Sequence, residues 1–302
     1  MPLDAATKKG QRPFWKTALF VLGGAVVFVY LLTIAFFVAY RGKLIFPVPK
    51  NVVARTPLVA GLAFEDLKIP VDGKSYIHAW WIPSQDAHAR TILYFHGNGE
   101  VLENEASREA VTFHQTGANL LLVDYRGYGQ SSPLQTTGLT AAADALAAMH
   151  YLKEQRHIAA SSIVIFGWSI GTGVAAQLAV DAPDAGGLIL VSPITSVDDV
   201  GNQSWIFRYL LRPTEWVSHE DDFDTKDKIG SIHMPVLMMT GTVDQIAPPW
   251  MARELYARAN EPKQIQFILG AGHNDVMKAR DGTFLRQLEV FLASLPKGDT
   301  NR

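Results

Sequence analysis

Residues 163–173 read Ile-Val-Ile-Phe-Gly-Trp-Ser-Ile-Gly-Thr-Gly, an apolar β-branched run that passes through Gly-x-Ser-x-Gly into an alanine-rich stretch at 174–180. The first part suits a buried strand and the last part a helix, so the chain must reverse within a few residues. The serine at the apex then takes a strained backbone conformation. Gly167 and Gly171 lack the Cβ atoms that would collide there. Such a turn presents the Ser169 hydroxyl at the carboxyl end of a strand. It also aims the first N–H groups of the following helix at the place where negative charge would develop. The pattern demands a strand–turn–helix unit and marks Ser169 as a candidate nucleophile.

The rest of the chain repeats the alternation. Residues 64–71 and 76–82 predict a hairpin around Asp72-Gly73. Short apolar runs follow at 91–95, 119–123, 163–166, 188–191, 236–240 and 264–269, of the kind found in parallel strands buried on both faces. Helical candidates lie near 100–116, 138–155, 170–181, 250–259 and 281–294. Together these predict an α/β fold, a mostly parallel sheet with helices on both faces. The rhythm breaks once. Residues 193–234 separate two neighbouring strands and are rich in aromatic and aliphatic side chains between Trp205 and Val217. That stretch reads as a lid over an apolar pocket or as a helix packed on the sheet.

Composition excludes several classes. The chain of 302 residues has a net charge of −2, which gives no reason to expect a nucleic-acid partner. It contains no cysteine, so a disulfide framework, a Cys-ligated metal and a thiol nucleophile are all ruled out. Hydrophobic residues make up 48%, and their excess concentrates near the N-terminus, where residues 17–40 carry no charge. As a helix this segment would reach about 36 Å, enough for a hydrocarbon core of about 30 Å. It is longer than the apolar region of a cleaved signal peptide and lacks a small-x-small site, which predicts an uncleaved anchor. Lys8, Lys9, Arg12 and Lys16 precede it, against Arg41 and Lys43 just after it. The expected arrangement is a cytoplasmic segment at 1–16, a transmembrane helix at 17–40, a proline-bearing stalk at 41–60, a catalytic domain at 61–296 on the far side of the membrane, and a tail at 297–302.

A serine nucleophile needs a base and a group to orient it, each on a loop at the carboxyl end of a strand. Of nine histidines, His273 follows the last predicted strand and precedes the last helix, in a glycine-rich loop. Asp244 follows the 236–240 run and is the expected acid, with Asp198 and Asp199 as runners-up. The order Ser, Asp, His agrees with the order that this serine turn usually carries. The oxyanion needs two preset N–H donors. Ile170 supplies one and the loop His96-Gly97-Asn98-Gly99 the other, through Asn98 or alternatively Gly97. His96 itself reads as a structural loop residue, and 124–131 as a tight glycine loop beside the site. His219-Glu-Asp-Asp-Phe-Asp224 reads as a solvated loop rather than a cation site.

Tyr-Phe-His96-Gly-Asn-Gly, Asp124-Tyr-Arg-Gly-Tyr-Gly-Gln-Ser131, Gly-Trp-Ser169-Ile-Gly, Thr-Val-Asp244 and Gly-His273-Asn, in this order, resemble the α/β-hydrolase superfamily. They are most similar to its membrane-anchored branch of α/β-hydrolase domain and Bem46-like proteins. The resemblance covers roughly residues 61–295. It implies an α/β-hydrolase fold, a Ser169–Asp244–His273 triad acting on carboxylic esters, and neither metal nor organic cofactor. A peptidase or acyl-thioesterase would use the same triad, and an idle hydrolase-like membrane scaffold is the alternative of another class. The anchor and the apolar insertion add the expectation of a small-molecule or lipid-like substrate. One departure concerns the acid loop, where Thr240-Gly241 stands in place of the usual His-Gly.

Overall fold

The computed structural model describes residues 14–49, 55–103, 107–211, 223–279 and 281–296. Eight strands form one sheet: β1 (Glu65–Pro70), β2 (Tyr76–Ile82), β3 (Thr91–Phe95), β4 (Asn119–Asp124), β5 (Ile163–Trp168), β6 (Gly187–Val191), β7 (Val236–Gly241) and β8 (Lys263–Ile268). Their spatial order is β1-β2-β4-β3-β5-β6-β7-β8. β2 runs antiparallel to both of its neighbours, and β4 through β8 are parallel. The predicted hairpin is present. Asp72 Oδ1 accepts the N–H groups of Lys74 and Ser75, which closes its loop.

Alternation along each central strand divides the apolar side chains between two cores. Leu93, Leu121, Ile165, Leu190 and Met238 face one side, with the alanines of α3 (Gly138–His150) and α4 (Gly171–Asp181). Tyr94, Leu122, Phe166, Ile189 and Met239 face the other, with Phe113 of α2 (Ser107–His114) and Phe284, Leu288 and Phe291 of α8 (Thr283–Ser294). Burial on both faces explains why these strands read as continuous apolar runs. The shorter helices are α5 (Val197–Gly201), α6 (Thr225–Lys228) and α7 (Pro249–Arg258). Arg90 ties the end of α8 down, donating to the carbonyls of Leu292, Leu295 and Pro296.

Ahead of α2, Leu102 and Glu103 are already in a π-helical turn, in line with a helical start near residue 100, and the Leu102 N–H is capped by Asp124 Oδ1. One boundary differs from expectation. The N-terminal helix α1 spans Phe14–Ile45, so the first residues of the expected stalk are helical, and the turn breaks only ahead of Pro47. α1 is apolar on every face, none of its residues is buried, and it is long enough to cross a membrane.

Candidate active site

The chain turns one way from β3 to β4 and the other way from β5 to β6, so the loops that leave β3 and β5 part company. A crevice opens at such a switch point, at the carboxyl ends of the strands. Ser169 sits there, directly after β5, with φ of +54° in the left-handed region that side chains with a Cβ rarely occupy. The crowding around it is severe. A Cβ on Gly167 would collide with the carbonyl oxygen of Gly171, and one on Gly171 with the carbonyl oxygen of Phe95. The glycines thus let α4 start hard against β3 and β5, with Ser169 held between them.

The loops after β7 and β8 bring two more side chains to this point. His273 Nε2 lies 2.8 Å from Ser169 Oγ, and His273 Nδ1 lies 2.8 Å from Asp244 Oδ2. The other carboxylate oxygen of Asp244 accepts the N–H groups of Ile246 at 2.9 Å and Ala247 at 2.8 Å. Burial pushes the Asp244 carboxyl up, but the hydrogen bond and charge of His273 and the two N–H donors outweigh it and hold it below the ordinary carboxylate value. An ionised Asp244 can only accept, so the proton of the neutral imidazole resides on Nδ1. Nε2 then offers its lone pair to the Ser169 hydroxyl, which donates. Trp168 flanks the imidazole with ring centroids 5.9 Å apart.

Asn98 and Ile170 line the same cavity, which measures about 580 Å³. Among the described residues neither the Asn98 nor the Ile170 N–H has a hydrogen-bond acceptor. Both expected donors therefore border the cavity that Ser169 lines. The described part of the 193–234 stretch also faces this space, through Val197, Val200, Phe207 and Leu211. Asp198 and Asp199 do not reach His273. Asp198 pairs with Arg41 at 2.8 Å, and Asp199 with Lys226 at 2.9 Å. Of the 219–224 stretch, residues 219–222 lie outside the described residues, as do Trp216 and Val217. The sequence did not single out Trp168, nor Phe37 and Leu44 of α1, and marked Arg41 only as a charge flanking the apolar span; all four also border the cavity.

His96 is structural. Its ring is buried, sits 4.5 Å from that of Tyr125 and 5.2 Å from that of Tyr128, and is held neutral by burial. Residues 124–131 form the expected tight loop, in which Ser131 Oγ donates to the Asp124 carbonyl and accepts the His78 N–H. One trio of potential metal ligands converges among the described residues: His78, Glu103 and Asp124, all buried. None of the three borders the Ser169 cavity. Their hydrogen bonds run to Asp66, Gln130 and Leu102, which suits a structural network.

Burial opposes protonation of His78, yet Asp124 and Asp66 outweigh it and raise its value. A raised folded-state value stabilises fully below the ordinary histidine value of about 6.5, and that contribution is lost as pH rises through the raised value. The melting temperature should therefore fall as pH rises from about 6.5 through the raised value, and His78→Gln should flatten that fall. An equal decline in the variant would remove His78 from this role.

Residues 90–214 match the sequence profile described as alpha/beta hydrolase fold. Alpha/beta hydrolase domain-containing protein WAV2 of Arabidopsis thaliana is 30% identical over 260 residues, covering 80% of this chain and 82% of that protein. The chain belongs to the α/β-hydrolase family. Uncharacterized protein Rv2307c of Mycobacterium tuberculosis is 35% identical over 233 residues, 76% of this chain and 77% of the relative. Among solved structures, Pyrococcus furiosus esterase Pf2001 superimposes on this α/β hydrolase with a TM-score of 0.67, over 82% of this chain and 98% of that one, at 19% identity. That likeness is one of fold.

Proposed function

We propose that this α/β hydrolase is a membrane-anchored serine hydrolase that cleaves carboxylic esters through an acyl-enzyme, with Ser169, His273 and Asp244 as its triad. The reading is carried by the unbroken relay at the cavity wall, in which Asp244, His273 and Ser169 are joined by two contacts of 2.8 Å. The resemblance in fold to an esterase is consistent with it.

Ser169 Oγ attacks the acyl carbonyl carbon while His273 Nε2 takes its proton. The carbonyl oxygen becomes an oxyanion, held by the N–H groups of Ile170 and Asn98. Asp244 stabilises the imidazolium and keeps its Nδ1–H in line. Collapse of the intermediate breaks the ester C–O bond, and the leaving alkoxide takes the proton back from Nε2. Water then attacks the acyl-enzyme with His273 as base, and the acid departs. No resident metal or organic cofactor is called upon.

α1 supplies the anchor. Four basic residues precede its apolar run, which keeps the N-terminus in the cytoplasm and places the catalytic domain across the membrane. The described part of residues 193–234 acts as a lid over the cavity.

Active-site labelling tests the reading. A fluorophosphonate probe should form a covalent adduct with the wild-type chain and none with Ser169→Ala. Labelling of both to the same extent would take Ser169 out of the role. Peptide and thioester panels run beside p-nitrophenyl esters would show which acyl bond is preferred.

A further inference from the structure

The cavity at Ser169 is not walled by the sheet domain alone. One wall is α1, through Phe37, Arg41 and Leu44, and the wall beside it is the segment that begins at Trp205, through Phe207 and Leu211. That segment lies along the helix. The rings of Phe37 and Phe207 meet edge to face with centroids 5.6 Å apart, and the Tyr30 hydroxyl donates to the carbonyl of Leu210 at 2.9 Å.

Depth along α1 decides what these contacts mean. Its 32 residues extend about 48 Å, well beyond a hydrocarbon core of about 30 Å. Counted from Lys16, about twenty residues cross the core, so the far boundary falls close to Phe37, with Arg41 and Lys43 above it. Tyr30 is then about 10 Å inside the acyl layer. Its side chain leans toward the N-terminus of the helix, deeper still, and so the carbonyl of Leu210 that it meets lies in the acyl layer too. A bare peptide carbonyl there would be costly, and the Tyr30 hydroxyl satisfies it.

The chemistry of the segment fits that depth. Trp205 is 64% exposed and Tyr209 70%, and Ile206 and Leu210 are exposed as well. Such a run has no reason to face water. The one charge within it, Arg208, turns back and donates from Nε to the carbonyl of Asn202, a residue that borders the cavity, at 2.9 Å. The Arg41–Asp198 pair marks the interface level across the cavity mouth.

We propose that residues 205–211 dip into the facing leaflet beside α1, and that the cavity between them receives the acyl chain of a bilayer-resident ester directly from that leaflet. Phe37 and Phe207 form the floor on which the chain rests, and the scissile carbonyl sits above the Arg41–Asp198 level, at Ser169. The inference rests on the proposed function, on its serine-hydrolase chemistry for the reaction and on α1 as the anchor for the depth.

Two measurements on the full chain in phosphatidylcholine vesicles test it. The sequence has no cysteine, so Tyr209→Cys accepts a single bimane label. Its fluorescence should be quenched by acyl-chain nitroxide lipids as strongly as that of a label at Val27→Cys within the span. Quenching by aqueous iodide to the level of a label at exposed Glu154→Cys would overturn the dip. Failure of the Val27→Cys label to be quenched by the nitroxide lipids would count against the anchor rather than the dip. Next, Phe37→Trp and Phe207→Trp narrow the floor. The ratio of kcat/KM for p-nitrophenyl palmitate to that for p-nitrophenyl acetate should fall at least tenfold in each, while Val21→Trp on the lipid-facing end of α1 leaves it in place. An unchanged ratio in both floor variants would overturn the acyl-chain assignment. Fluorophosphonate labelling of the same samples separates the failures. An unlabelled wild type sinks the hydrolase reading, whereas labelled protein with an unchanged ratio sinks this inference alone.

Discussion

Replacing His273 with alanine should lower kcat for a carboxylic ester by about ten thousand- to one million-fold, with little change in KM. The size follows from what the proposed mechanism asks of the imidazole at two moments. It takes the proton of Ser169 as the C–O bond forms, and it returns that proton to the leaving alkoxide. Without it the hydroxyl at 169 keeps a bound proton and is a weak nucleophile. Asp244→Asn should cost about ten thousand-fold through a different route. An amide at 244 can turn an N–H toward Nδ1, which shifts the imidazole proton to Nε2 and points it at the Ser169 oxygen, the wrong way round. The two N–H donors from Ile246 and Ala247 can still be met by the amide oxygen, so this variant keeps its fold. Steady-state rates with p-nitrophenyl butyrate check both. Retention of more than about a tenth of wild-type kcat by His273→Ala would assign the base elsewhere.

Much of this site was legible because each contributor stands at the end of an apolar run. Ser169 follows the β5 run, Asp244 the β7 run and His273 the β8 run, and a parallel sheet collects all such ends on one edge. Asn98 was legible for the same reason, after β3. The α1 wall of the cavity was not. α1 is apolar all round, so nothing in its pattern says which face turns to the domain, and the approach of Phe37 to Phe207 joins parts of the chain far apart in sequence. That contact exists only in the assembled fold, and local propensity does not encode it.

Gly171→Ala should destabilise the fold by about 3 kcal/mol or more, lowering the melting temperature by roughly 6 to 12 °C. Alanine ordinarily favours a helix over glycine, so propensity alone predicts the opposite sign. The space decides. A Cβ at 171 would collide with the carbonyl oxygen of Phe95 and stand 2.7 Å from that of His96, and both are backbone atoms of β3 and its loop that cannot swing aside like a flexible side chain. The His96 carbonyl is also pinned by the Tyr125 hydroxyl at 3.1 Å. Relief therefore requires α4 to move off the sheet. That motion carries Ser169 with it and spreads the Ile170 and Asn98 N–H groups apart, so the residual folded enzyme should also lose turnover. Gly270→Ala makes the contrast. Gly270 has φ of +71° and nothing near its missing Cβ, so its cost is the left-handed backbone alone, about 1 to 2 kcal/mol. Calorimetric melts should rank the two accordingly, with esterase activity lost in Gly171→Ala and kept in Gly270→Ala. A Gly171→Ala protein that melts with the wild type would mean that the helix does not press on β3, and the tight turn that exposes Ser169 would lose its physical basis.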